Sequence, residues 1–275
     1  YSAHRAIIKH HKGLNRLHTE AHTETRTMAM IGTVTDAFNN RRERPIRSAP
    51  GVSGGHIFRS DLIPETGDAE SDTPNCKLIE QQPHGVLQSH FHIVDQFQIM
   101  VAGEGLLGKH HVAPYTVHFA AKHTGYGPIT AGEQGLHYMV FRLGKDSGAG
   151  YLPEQRGDMK DLPRRHVMGT PVGCLNDTQR TALPSTLEHQ AITMQTDGLF
   201  ATIYQAPAHQ SIVGPEPTSG RGQFIYIAAG AAKLDGQTHE AGTAIFIAPT
   251  DPAATLTTDL SGAEILVMQF PRANS

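Results

Sequence analysis

Two segments of this chain are near copies of each other. Gln96-Phe97-Gln98-Ile99-Met100-Val101-Ala102-Gly103 and Gln223-Phe224-Ile225-Tyr226-Ile227-Ala228-Ala229-Gly230 share one pattern of polar, apolar and glycine positions. A repeat at this separation means one supersecondary unit used twice, so the fold has to contain two similar halves. The first copy runs on through Glu104-Gly105-Leu106-Leu107-Gly108, the second through Ala231-Ala232-Lys233-Leu234-Asp235-Gly236. Each then gives a short strand, Thr116-Val117-His118-Phe119 and Ala244-Ile245-Phe246-Ile247. Each closes on an alternating apolar strand that ends in a basic residue, Leu136 to Arg142 and Glu264 to Arg272.

Short apolar runs separated by many of the 28 Gly and 17 Pro read as strands and turns, not as a helix bundle. Two sets of short antiparallel strands hide their edges best by closing into barrels or jelly rolls. The expected fold class is therefore all-β, with two tandem antiparallel β-barrels. The first spans residues 31–143 and the second 196–275, each of ordinary domain size. Residues 144–195, rich in Gly, Pro and charge, read as a linker with one helical turn between Asp177 and Leu187. Residues 1–30 read as a disordered or added segment. They are basic, carry His4, His10, His11, His18 and His22, and lack the apolar stretch of a secretory signal. An organelle transit peptide is the competing reading.

A formal net charge of −3 gives no electrostatic footprint for nucleic acid. No apolar run is long enough for a membrane-spanning helix. Cys76 and Cys174 alone make neither a disulfide framework nor a thiolate metal site. The expectation is a cytoplasmic homodimer acting on a small molecule. The 18 His are well above ordinary usage, so a metal would be held by imidazole.

The chemistry concentrates in Pro83-His84-Gly85-Val86-Leu87-Gln88-Ser89-His90-Phe91-His92-Ile93-Val94-Asp95-Gln96. On a strand, His90 and His92 face the same side, about 7 Å apart at roughly 3.4 Å per residue. Such a pair can bite one ion. Gln96 keeps the even spacing and offers an amide oxygen. A fourth ligand has to come from a neighbouring strand or the turn after it, and His123 is the best placed. His118 lies on the strand leading to it, and His137 on the last strand of the barrel is the alternative. His118, Tyr126 and His137 are the candidate catalytic residues, and Tyr138 and Arg142 are candidates for the pocket wall.

These residues resemble the cupins. Their first motif is glycine, five residues, His-x-His, three or four residues, Glu, six residues, glycine. Here His90, His92, Gln96 and Gly103 fit it, with Gln in place of Glu and Gly85 one residue too close. The second motif fits poorly: no Pro-x-Gly precedes His123, and Gly127 stands where Asn is usual. The resemblance covers residues 54–143 well and 197–272 weakly, which implies a bicupin, two double-stranded β-helices in one chain. In the second copy Pro217 and Ser219 stand where the His pair would be. His209 and His239 have no matching partner, so that barrel is expected to be metal-free.

The resemblance implies one divalent ion, Fe, Zn, Ni or Mn, on His90, His92, Gln96 and His123. A neutral Gln in place of Glu leaves the ion its full charge and favours Lewis-acid chemistry. That points to a metal-dependent enzyme of isomerase, lyase or cyclase type on a small oxygen-rich organic substrate. The alternatives are a dioxygenase cleaving a phenolic, flavonol or diketone substrate, and a non-catalytic small-molecule binding bicupin. Cupins host many unrelated activities, so the fold by itself does not choose.

Overall fold

The computed structural model describes residues 30–48 and 54–273. Apart from Met30, the expected N-terminal segment lies outside the described residues. Two large antiparallel sheets carry the fold. The first runs in spatial order Arg42–Pro45, His56–Ile63, Pro74–Gln81, Ile129–Leu143, Gln96–Leu107, Val117–Ala120 and His166–Met168. The second runs Met30–Thr33, Thr243–Ile247, Gln223–Leu234, Thr255–Gln269, Phe200–Ala206 and Leu187–Ile192. The fold is all-β, with a jelly-roll barrel in each half.

The sequence repeat is a structural repeat. Gln96–Leu107 lies between Val117–Ala120 and Ile129–Leu143, and Gln223–Leu234 lies between Thr243–Ile247 and Thr255–Gln269. Gly103 and Gly230 sit at matching bulges with φ of +70° and +68°. A Cβ would lie 2.2 Å from the Gly135 carbonyl oxygen in one and 2.0 Å from that of Gly262 in the other, so only glycine fits. The register sets the matching rungs. Arg142 faces Gln96, and Gln269, not Arg272, faces Gln223.

Alternation divides each strand between two cores. On Gln96–Leu107, Gln96, Gln98 and Met100 share one face, while Phe97 and Ile99 share the other. Met100 joins Ile79, Tyr138 and Val140 inside the first barrel. Phe97 and Ile99 belong to a core that spans both barrels, with Phe119 and Phe141 from the first and Phe224, Phe246 and Phe270 from the second. Phe141 meets Phe224, and Phe97 meets Phe270, at ring separations of 5.0 Å. Ile225, Ile227, Ile245 and Ile247 fill the second barrel's own interior. Both faces are therefore buried, which is why these strands read as nearly continuous apolar runs. Within this seam the wholly buried Glu264 accepts from the Tyr115 hydroxyl at 2.8 Å and from the Gln205 amide at 2.5 Å.

The segment expected as a linker is a brace. His166–Met168 adds to the first sheet, Leu187–Ile192 to the second, and Gly150–Tyr151 pairs with His90–Phe91. Its helical turn is Asp177–Thr181, with Asn176 and Gln179 forming a capping box. Met30–Thr33 likewise crosses the expected boundary and pairs with Thr243–Ile247 of the second sheet. Edge strands this short dock by backbone hydrogen bonds, which leave little periodic signal in their side chains. Among the described residues no helix is long and apolar enough to cross a membrane.

Candidate active site

The paired strands Gln96–Leu107 and Ile129–Leu143 floor a cavity of about 170 Å³ inside the first barrel. That is small beside the roughly 300–1,000 Å³ of pockets for drug-sized ligands. His90 enters from the short strand His90–Phe91 and His92 from just past its end, their rings 5.1 Å apart. His90 Nδ1 faces the Gln88 carbonyl oxygen at 2.7 Å, and His92 Nδ1 faces the Asp146 carboxylate at 2.7 Å. Both acceptors fix the proton on Nδ1, which leaves the Nε2 lone pairs for the cavity side. Burial, with His92 beside it, lowers the His90 imidazole to about 3. Burial and the Arg142 guanidinium lower His92 to about 4, so both rings are neutral at pH 7.

Arg142 holds the centre of the site. Its Nε donates to Gln96 Oε1 at 3.0 Å, its Nη1 to Asp146 Oδ2 at 2.7 Å, and its Nη2 lies 3.0 Å from His92 Nε2. Arg142, Asp146 and His92 thus close a ring of three contacts. Burial pushes the Asp146 carboxyl up, but Arg142 and His92 outweigh it and hold the group well below the usual carboxylate range. Lys77, with Nζ 2.5 Å from Glu65, and Arg59, on Asp61 and Glu65, bring more positive charge to the same wall. Burial, together with Arg142 and Arg59, lowers the Lys77 ammonium to about 7 against the pull of Glu65. Arg44, Arg59, Lys77 and Arg142 face the cavity against one lining carboxylate, Asp146.

The expected residues are not all brought together. Tyr126 pairs with His90 in an isolated bridge, its ring is 4.6 Å from that of His90, and its hydroxyl meets the Gln96 amide. It takes the fourth position that the spacing argument gave to His123. His123 stands at the corner of the preceding turn with φ +58°, its ring against Phe91 and its Nδ1 accepting from the Lys160 N–H at 3.3 Å. Phe91 alternates to the other side of the strand from His90 and His92, so the structure does not bring His123 into their cluster. His118 lies behind Tyr126, rings 5.1 Å apart, with Nδ1 on Gln98 Oε1 at 2.9 Å. It does not line the cavity. Nor does His137: Tyr138, Val140 and Arg142 are the residues of its strand that do.

Lys77, Arg59 and Asp146 escaped the sequence reading. A lysine in the middle of Pro74-Asn75-Cys76-Lys77-Leu78-Ile79 was the one available signal. In the second barrel the equivalent place holds neutral amides. Gln223 donates to Gln269 Oε1 at 2.9 Å, and Gln269 donates to Ser219 Oγ and the Gly198 carbonyl, each at 2.7 Å.

No protein-family model matches the chain, and no curated protein sequence matches it significantly. Solved structures do. A putative dioxygenase from Nostoc punctiforme matches with a TM-score of 0.59 at 12% identity, over 90% of this chain and 84% of that one. Oxalate decarboxylase of Bacillus subtilis, a protein with Mn(II) centres, matches at 0.53 and 10% identity, over 90% and 78%. A bacterial pirin from Escherichia coli in complex with nickel(II) matches at 0.52 and 13% identity, over 90% and 100%. The chain has the cupin fold, twice over. At these identities the likeness fixes the fold and leaves the chemistry to the site itself.

The donor set of this pocket does not fit a divalent ion in the arrangement shown. Two of its donors, His92 Nε2 and Gln96 Oε1, already face the Arg142 guanidinium. Among the described residues no three of His, Cys, Asp and Glu converge as a metal-holding group. A dication about 4 Å from the guanidinium would meet about 8 kcal/mol of repulsion at an effective dielectric of about 20.

Proposed function

We propose that the first barrel is the site of an enzyme that moves a proton on a small organic acid. The carrying observation is the neutral His90–His92 pair set against the buried Arg142 guanidinium in a small, largely apolar cavity. Arg142 would hold a carboxylate or a developing enolate, as fixed positive charge does best in a water-poor site, and Lys77 would add to it in its protonated form. His90 Nε2 would take the proton. Its basicity is low in the free site, and an anion bound beside it raises that basicity towards the working range. Base strength then appears together with substrate. The Tyr126 hydroxyl, raised by burial and so protonated, offers a hydrogen bond to a substrate oxygen. This is the isomerase, lyase or cyclase type of chemistry, with guanidinium where a metal was expected. The test is deuterium uptake from D2O into a panel of small 2-keto, 3-keto and hydroxy acids. Uptake by the native protein, and its loss in His90→Ala, supports the reading. Oxygen consumption on phenols or diketones without deuterium uptake overturns it.

One observation favours a second reading, a metal-dependent dioxygenase. His92 with its Nδ1–H on Asp146 has the carboxylate–histidine pattern that supports metal ligands. One divalent Fe, Zn, Ni or Mn on His90, His92 and Gln96 would then require Arg142 to leave its place. Binding of a small acid without turnover would mark the third reading, a binding protein. The homodimer belongs to the proposal as well, and light scattering of the untagged chain reads it directly.

A further inference from the structure

We infer, resting on the proton-transfer reading of the pocket, that Arg142 is the built-in cation of this site and keeps a divalent ion out of it. Its guanidinium stands where His92 Nε2 and Gln96 Oε1 converge, 3.0 Å from each through different nitrogens. It cannot leave by losing a proton, because guanidinium stays charged at any working pH. It is also anchored. Arg142 is 6% exposed, sits within the Ile129–Leu143 strand, and is held from below by Asp146.

The second barrel shows that the ladder itself does not demand an arginine. At the same rung Gln269 faces Gln223 and accepts a neutral hydrogen bond from its side-chain amide. The charge at position 142 therefore belongs to the site and not to the fold. Charge balance points the same way. Asp146, whose side chain is 1% exposed, offsets Arg142 and shares its Oδ2 with His92 Nδ1. If the guanidinium is removed, a buried carboxylate loses its counter-charge. His92 Nε2 and Gln96 Oε1 are uncovered beside His90 at the same time. A divalent ion on those donors would restore the balance through the Asp146–His92 pair. The first barrel is thus a metal site held shut by one side chain.

The test uses the full chain, purified without a histidine tag, with Co(II) as a visible probe and elemental analysis for Fe, Zn, Ni and Mn. Native protein should carry no stoichiometric ion and show no Co(II) ligand-field band. Arg142→Met should take one equivalent, bind Co(II) at least ~100-fold more tightly than native protein, and lose it again when His90→Ala is added. Arg142→Lys keeps a charge at the position and should behave like native protein. Arg142→Gln, the side chain the second barrel uses, serves if Arg142→Met does not fold. One equivalent in native protein that His90→Ala with His92→Ala removes would overturn the inference. So would a folded Arg142→Met or Arg142→Gln that binds Co(II) no better than native protein. Failure of deuterium uptake with these metal results intact would overturn the proton-transfer reading and leave the role of Arg142 standing.

Discussion

Arg142 stands opposite Gln96 in the ladder of the first barrel, and its Nε donates to the Gln96 amide oxygen across 3.0 Å. The matching rung of the second barrel pairs Gln223 with Gln269. One architecture thus carries a charged rung in one half and a neutral rung in the other. The asymmetry extends outward: His90, His92 and Asp146 gather round Arg142, while Ser219 and backbone carbonyls gather round Gln269.

Asp146 is the counter-charge that makes Arg142 tolerable in the interior. Asp146→Asn should cost about 3–5 kcal/mol in urea denaturation, because it takes the close counter-charge from a buried guanidinium and leaves it only Glu65 at 3.7 Å. Adding Arg142→Met should restore most of the loss, since both charges are then gone. A cost under about 1 kcal/mol for Asp146→Asn would mean that the pair is not buried as described.

Acid should destabilise the protein well above the carboxylate range. His90, His92 and His118 titrate near 3, 4 and 3 in the folded chain, chiefly through burial, against about 6.5 when unfolded. Between those values the unfolded chain binds more protons, so this stability is present above pH 6.5 and is lost as pH falls. Three such groups give a slope of about 4 kcal/mol per pH unit near pH 5. His118→Phe should flatten the slope measured by urea denaturation across pH 4–7 by about a third. A flat profile there would show that these rings ionise freely in the folded protein.

The two barrels should not separate. A fragment ending at Gly144 would expose Phe97, Phe119 and Phe141, which are buried against Phe224, Phe246 and Phe270. Exposed apolar area of that kind drives association. The fragment should precipitate or elute as aggregate in gel filtration. A monodisperse fragment that binds the same small acids as the full chain would make the second barrel dispensable.

Tyr115 joins the barrels through one buried polar contact. Tyr115→Phe leaves Glu264 Oε2 without the donor it has at 2.8 Å. The expected loss is about 1–3 kcal/mol in thermal or urea unfolding, the cost of an unmet buried acceptor. No loss would mean that water reaches the seam.

Much of this architecture was readable in the residue order. The Gln96–Gly103 and Gln223–Gly230 repeat carries the two barrels, and its alternation already separates Ile225 and Ile227 from Phe224 and Tyr226. His90 and His92 followed from a spacing of two on a strand. The fourth position did not, because it depends on how residues 121–125 wind. His123 takes a left-handed corner there, and Tyr126 is the residue delivered to His90. Counting residues cannot show that. Lys77 and Asp146 reach the pocket from returning strands and loops, so their approach is a property of the closed barrel. The edge strands of the expected linker carry their information in backbone hydrogen bonds, to which side-chain periodicity is blind.

The most direct measurement is a calorimetric titration of the native chain with small keto and hydroxy acids, repeated on Arg142→Met and Gln269→Met. The account predicts one site per chain for at least one acid, lost in Arg142→Met and unchanged in Gln269→Met. Binding that survives Arg142→Met and disappears in Gln269→Met would place the working site in the other barrel and contradict the account.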